Sequence, residues 1–125
     1  MHRILIAALL SLLLVNVQAQ SPQDIKSQLD ARDKKALVNA EAYAKANSSN
    51  AEAWILLTRA RLQAGKAESA VASAEKAVKL APNSAQSQYW LGNAYGARIG
   101  EVGMMSKMSM APKLREAFET TVALD

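Results

Sequence analysis

From Ala51 onward, apolar positions recur at helical spacing and are interrupted by short polar turns. Trp54, Leu57, Ala60 and Ala64 fall three or four residues apart, which predicts an amphipathic helix with one apolar face. Gly65 and Lys66 supply a turn, where Gly can take the left-handed conformation that ends a helix. Ala67, Ala70, Val71, Ala74, Ala77 and Val78 form the stripe of a second helix, and Pro82 stops it. Asn83 or Ser84 can cap the helix that follows. Upstream, residues 34–46 predict a helix with Ala36, Ala40 and Tyr43 on one face. Residues 22–31 predict a shorter one, opened by a cap at Ser21, a Pro at the first helical position and Asp24 three residues after the cap.

The pattern is periodic. Ala51 and Ala85 stand 34 residues apart in register, and each opens a helix after a polar turn. Residues 51–84 therefore make one helix–turn–helix unit. No single pair can hide its own apolar flank, so neighbouring pairs must stack. In the next unit the second helix arrives ten residues late, with Leu114, Phe118 and Thr121 at its apolar positions. A ten-residue insertion is thus expected around residues 98–112. It carries Met104, Met105, Met108 and Met110, four of the five methionines in the chain.

These residues resemble the tetratricopeptide repeat family. Trp54, Leu57, Gly65, Ala70, Ala74, Ala77 and Pro82 fit its pattern in the first unit, while Thr58 and Arg61 replace the usual Gly and Tyr. Leu91-Gly92-Asn93-Ala94-Tyr95 restores Leu, Gly and Tyr in the second. Residues 81–125 are similar to exported bacterial members of the family that carry a glycine-then-methionine segment. The resemblance implies an all-α fold, an α-solenoid of stacked antiparallel helix pairs. It comprises about two repeats, residues 51–84 and 85–125, behind an N-terminal helix pair in residues 20–50. The first of those N-terminal helices is expected to cover the first repeat rather than to act as a repeat helix itself. In the family, the first helices of each pair line a concave groove that takes peptides. The matching positions here are Glu52, Ile55, Arg59, Leu62 and Gln63, then Gln86, Tyr89, Asn93, Gly96 and Ala97. Arg59 and Asn93 can hydrogen-bond a peptide backbone or carboxylate, and Ile55, Leu62 and Tyr89 offer apolar contact. The two-lysine, two-asparagine carboxylate clamp of some members is not completed.

Composition narrows the chemistry. Alanine makes up a fifth of the 125 residues and aromatics 5%, which favours close helix packing over a β-sandwich. Cysteine is absent, which removes disulfides, thiolate metal sites and a cysteine nucleophile. The lone histidine, His2, lies in a segment that reads as a secretory signal. There, His2 and Arg3 precede an apolar run over residues 4–15, and Val17-Gln18-Ala19 offers a cleavage site after Ala19. The run is too short to span a bilayer, so the expected product is an exported periplasmic protein with no stable membrane span. An uncleaved anchor is the alternative. The net charge of +4, less one once Arg3 is removed, is spread among acids, unlike a nucleic-acid footprint.

No acid–base or nucleophile arrangement is readable, so the chain is expected not to be an enzyme and no catalytic, cofactor or metal residue is assigned. Ser73 and Lys76 have an S-x-x-K spacing, but within a helical stripe and without companion motifs. The methionines Met104, Met105 and Met108 are expected to lie on the apolar groove between helices, or to contact a partner. An all-thioether Cu(I) site is the sharper alternative. The functional expectation is a protein-interaction scaffold that binds a peptide or protein in the groove and through the Met-rich insert. The alternative is an assembly protein, or a piece of a longer repeat array, that self-associates through its C-terminal edge.

Overall fold

In a computed structural model that describes residues 21–125, the chain forms six helices and no strand among those residues. They are α1 (Pro22–Asp30), α2 (Lys35–Ala46), α3 (Ala51–Gln63), α4 (Ala67–Leu80), α5 (Ala85–Ile99) and α6 (Met104–Leu124). The expected signal segment and its cleavage site lie outside the described residues. Each helix packs on the next in sequence. In addition α1 touches α3, and α3 touches α5. The fold is therefore all-α, three consecutive antiparallel pairs stacked side by side, with α1, α3 and α5 forming one layer.

Local chemistry sets the helix ends. Ser21 and Asp24 make the reciprocal capping box, with Pro22 at the first helical position. Asn50 caps α3 through the amide of Glu52, and Ser84, rather than Asn83, caps α5 through the amide of Ser87. Gly65 takes a left-handed φ of 73° at the turn after α3. Arg32 adopts the same region after α1, with a φ of 53°, where nothing in its type announces it.

α1 packs on both α2 and α3, in the layer that α5 continues on the other side of α3. Its nine residues bury Ile25 and Leu29, and two apolar side chains suffice to seat so short a helix. The insertion makes no element of its own. It lengthens the N-terminal end of α6, which runs unbroken through Pro112 for 21 residues. A Cβ on Gly92 would meet the Phe118 ring, and one on Gly96 would meet Leu114. That antiparallel register puts Ile99 level with Ala111 and leaves residues 104–110 beyond the end of α5.

The main core joins Ile25 and Leu29 of α1, Ala36, Ala40 and Ala44 of α2, and Ala53, Leu56, Leu57 and Ala60 of α3. Trp54 packs against it and donates its indole N–H to the Ser48 carbonyl at 2.9 Å. A smaller core gathers Ala70, Ala74 and Ala94 with Leu62, Val71 and Leu91. Between α3 and α4, the buried hydroxyls of Thr58 and Ser73 lie 2.7 Å apart. Each also reaches a carbonyl of its own helix, Trp54 and Ala70 respectively. Two hydroxyl protons cannot serve three contacts, so one hydroxyl donates across the pair while the other donates to its carbonyl. Ser73 is thus a structural polar contact, whatever its spacing to Lys76.

Arg61 and Tyr95, 34 residues apart, both tie to α4. Arg61 donates through Nη1 to the Ser69 carbonyl at 2.9 Å. Tyr95 donates its hydroxyl to Glu75 Oε1 at 3.1 Å. Burial, then the charge and hydrogen bond of Glu75 and the charge of Glu116, push the Tyr95 phenol up to about 12. Tyrosine in an unfolded chain ionises near 10, so between about pH 10 and 12 the unfolded chain loses a proton that the fold retains. Stability from this group is complete below that window and falls as pH rises through it. The measurement is a comparison of the unfolding midpoint against pH. The wild type is expected to show a steeper decline than Tyr95→Phe.

Candidate functional site

The layer of α1, α3 and α5 presents a cleft of about 470 Å³. Lys26 enters from α1, Glu52, Ile55 and Arg59 from α3, and Gln86, Tyr89 and Trp90 from α5. Thr121 and Asp125 close one side. The three helices run side by side, so residues near their N-terminal halves converge although they come from helices far apart in sequence.

Charge and aromatic surface alternate across this cleft. Lys26 Nζ lies 2.8 Å from Glu52 Oε1, a half-exposed pair that contributes about 1 kcal/mol or less. The guanidinium of Arg59 sits with its central carbon 5.3 Å from the centre of the Trp90 ring. Its Nη2 lies 3.7 Å from Asp30 Oδ1, at the end of α1. Asp30 is mostly exposed, so this contact is weak and leaves guanidinium donors free for an incoming acceptor. The indole beneath holds the guanidinium in place, a contribution of about 0.5–2 kcal/mol. Tyr89 packs edge-on against Trp90, with ring centres 5.2 Å apart, and also leans on Phe118 at 6.2 Å. Tyr89 is 45% exposed and Ile55 only 6%, so the aromatic ring forms the wall and the aliphatic chain the floor.

Of the ten groove positions read from the sequence, Glu52, Ile55, Arg59, Gln86 and Tyr89 meet in this cleft. Leu62, Gln63, Asn93, Gly96 and Ala97 do not line it. Leu62 turns away and packs with Val71, Leu91 and the alanines of the smaller core, because α5 covers that side of α3. Gln63 donates to the Leu29 carbonyl at 2.9 Å and borders a separate cleft of about 360 Å³ with Arg32, Asp33 and Leu37. It ties the end of α3 to the end of α1. Asn93 donates to the Tyr89 carbonyl within its own helix, at 2.9 Å. Lys26 and Trp90 went unread. Reading α1 as a cover hid the first, and the second falls one step off the groove stripe of α5.

The methionines do not lie in a groove. Met104, Met105 and Met108 are 72%, 84% and 69% exposed, on the turns of α6 that overhang α5. A helix surface with no neighbour cannot bury them. Met110 alone is half-buried.

Among the described residues no cluster of three or more histidine, aspartate or glutamate side chains is placed to hold a metal, and no helix is long and apolar enough to cross a membrane. No family model and no curated protein matches this chain. The class defined by the fold is an all-α stack of helical hairpins with a charged, aromatic-walled cleft.

Proposed function

We propose that this chain is a non-catalytic, tetratricopeptide-type scaffold that binds an extended peptide or a protein segment in the α1–α3–α5 cleft, after export to the periplasm. The observation that carries the reading is the meeting of Ile55, Arg59 and Tyr89, from two helix pairs, over one apolar floor with Lys26 and Trp90 beside them. A peptide laid across such a cleft offers carbonyls or a carboxylate to the Arg59 guanidinium and side chains to the Tyr89–Trp90 wall. The repeat spacing of Ala51 and Ala85, with the same turn and cap chemistry before each, supports the tetratricopeptide assignment. The apolar run of residues 4–15 supports export.

A second reading has its own observation. Val122 and Leu124 are exposed near the C-terminal end of α6, which among the described residues packs on α5 alone. Self-association through that edge is the alternative.

One experiment separates the two. A photocrosslinking residue is placed at Tyr89, at Val122 or at Lys79, which is exposed on α4. Cleft binding predicts a heterologous adduct at Tyr89 that Arg59→Ala reduces about ten-fold, with none at Lys79. A homodimer adduct at Val122, with nothing heterologous at Tyr89, would transfer the function to the edge. Equal labelling at Tyr89 and Lys79 would remove the cleft altogether.

A further inference from the structure

We propose that Met104, Met105 and Met108 form a binding site for a soft monovalent metal ion, Cu(I) or its closed-shell counterpart Ag(I). The three residues sit at i, i+1 and i+4 on α6, so their side chains leave one arc of the helix. Residues three and four apart have Cβ atoms about 5–6 Å from one another, and the long, flexible thioether chains can converge on a single ion over that span. All three are more than two-thirds exposed, on turns that extend past α5, so the fold makes no use of them.

Residue type points to sulfur rather than to greasiness. Between Gly103 and Leu114 every large apolar side chain is methionine. Elsewhere the chain exposes Val38, Leu80, Tyr89, Val122 and Leu124, so it does not favour methionine for surface apolar positions in general. A patch that needed only hydrophobic contact accepts leucine, isoleucine or phenylalanine equally well.

The surroundings select the ion. A neutral thioether is a soft ligand and suits Cu(I). No acid occurs between Glu101 and Glu116, and Glu101 pairs with Arg98. Hard divalent ions therefore find no carboxylate on this arc. Lys107 lies beside it, and its charge repels a divalent ion twice as strongly as a monovalent one. Thioethers carry no proton to displace, so binding is independent of pH, unlike a site built on histidine or carboxylates.

The test titrates the whole chain, labelled with 13C at the methionine methyl groups, with silver nitrate in chloride-free buffer. The methyl signals of Met104, Met105 and Met108 are expected to move together and saturate at one ion per chain, while Met110 stays still. The titration is expected to look the same between about pH 5 and 8. The triple variant Met104→Leu, Met105→Leu, Met108→Leu keeps the apolar surface and the helix propensity but loses the sulfur, and is expected to bind at least about ten-fold more weakly. Circular dichroism checks that its helix content is unchanged. Silent methyl signals, a leucine variant that binds as tightly, or a tightest site that fades at acid pH would each overturn the proposal.

Discussion

Leu56→Ala is expected to lower the unfolding free energy by about 2–5 kcal/mol, toward the upper half of that range. Leu56 is 1% exposed in the centre of α3, facing a core supplied largely by alanines. Alanine has no rotamer with which to fill a void, so relief requires whole helices to shift. The cavity therefore persists, and its cost adds to the lost transfer free energy. A domain of this size holds only about 5–15 kcal/mol in total, so the variant approaches the limit of folding. A urea titration checks this through a lower midpoint with little change in slope. Leu56→Met, which keeps the volume, is expected to cost less than about 1.5 kcal/mol. A loss under about 1 kcal/mol for the alanine variant would show that the helix pairs close up freely.

Gly92→Ala is expected to destabilise in a way that depends on its partner. A Cβ at position 92 would stand 2.7 Å from the Phe118 ring, closer than packed carbon atoms allow. Displacing that ring also disturbs its contact with Tyr89. Overpacking of this kind costs about 1–3 kcal/mol, against about 1 kcal/mol gained by putting alanine in place of glycine in a helix. The expected net loss is up to about 2 kcal/mol. In a Phe118→Ala background the obstruction is gone, and the same substitution is expected to stabilise by up to about 1 kcal/mol. Thermal or denaturant unfolding of the four proteins in this cycle reads the reversal of sign. A loss of equal size in both backgrounds would mean that the α5–α6 spacing does not depend on the ring.

The architecture was legible because its signals are local. Alanine stripes at helical spacing, Gly65 at its turn, the cap at Ser21 and Pro82 after α4 each act within a few residues, and each does what its chemistry predicts. The cleft was half legible. Ile55, Arg59 and Tyr89 lie on the side of their helices that faces it, whereas Leu62 shares that side about two turns further along α3, where the neighbouring helix decides between groove and core. Periodicity assigns a residue to a face. It does not say which neighbour covers that face. Lys26 depends on where α1 docks and Trp90 on how α5 sits against Arg59 of α3, tertiary facts with no short-range signature. The methionines were misplaced for the same reason, since whether they meet a groove depends on how far α6 outruns α5.

The attachment of α6 has a further consequence for the cleft. Internal helices are clasped by neighbours on both sides, but among the described residues α6 rests on α5 alone. Among the described residues, α6 is thus held through one interface where α4 is held through two. The Phe118 ring comes with α6 and gives Tyr89 its outer support. The outer wall of the cleft therefore depends on the α5–α6 contact, through Phe118 behind Tyr89 and through Thr121 itself.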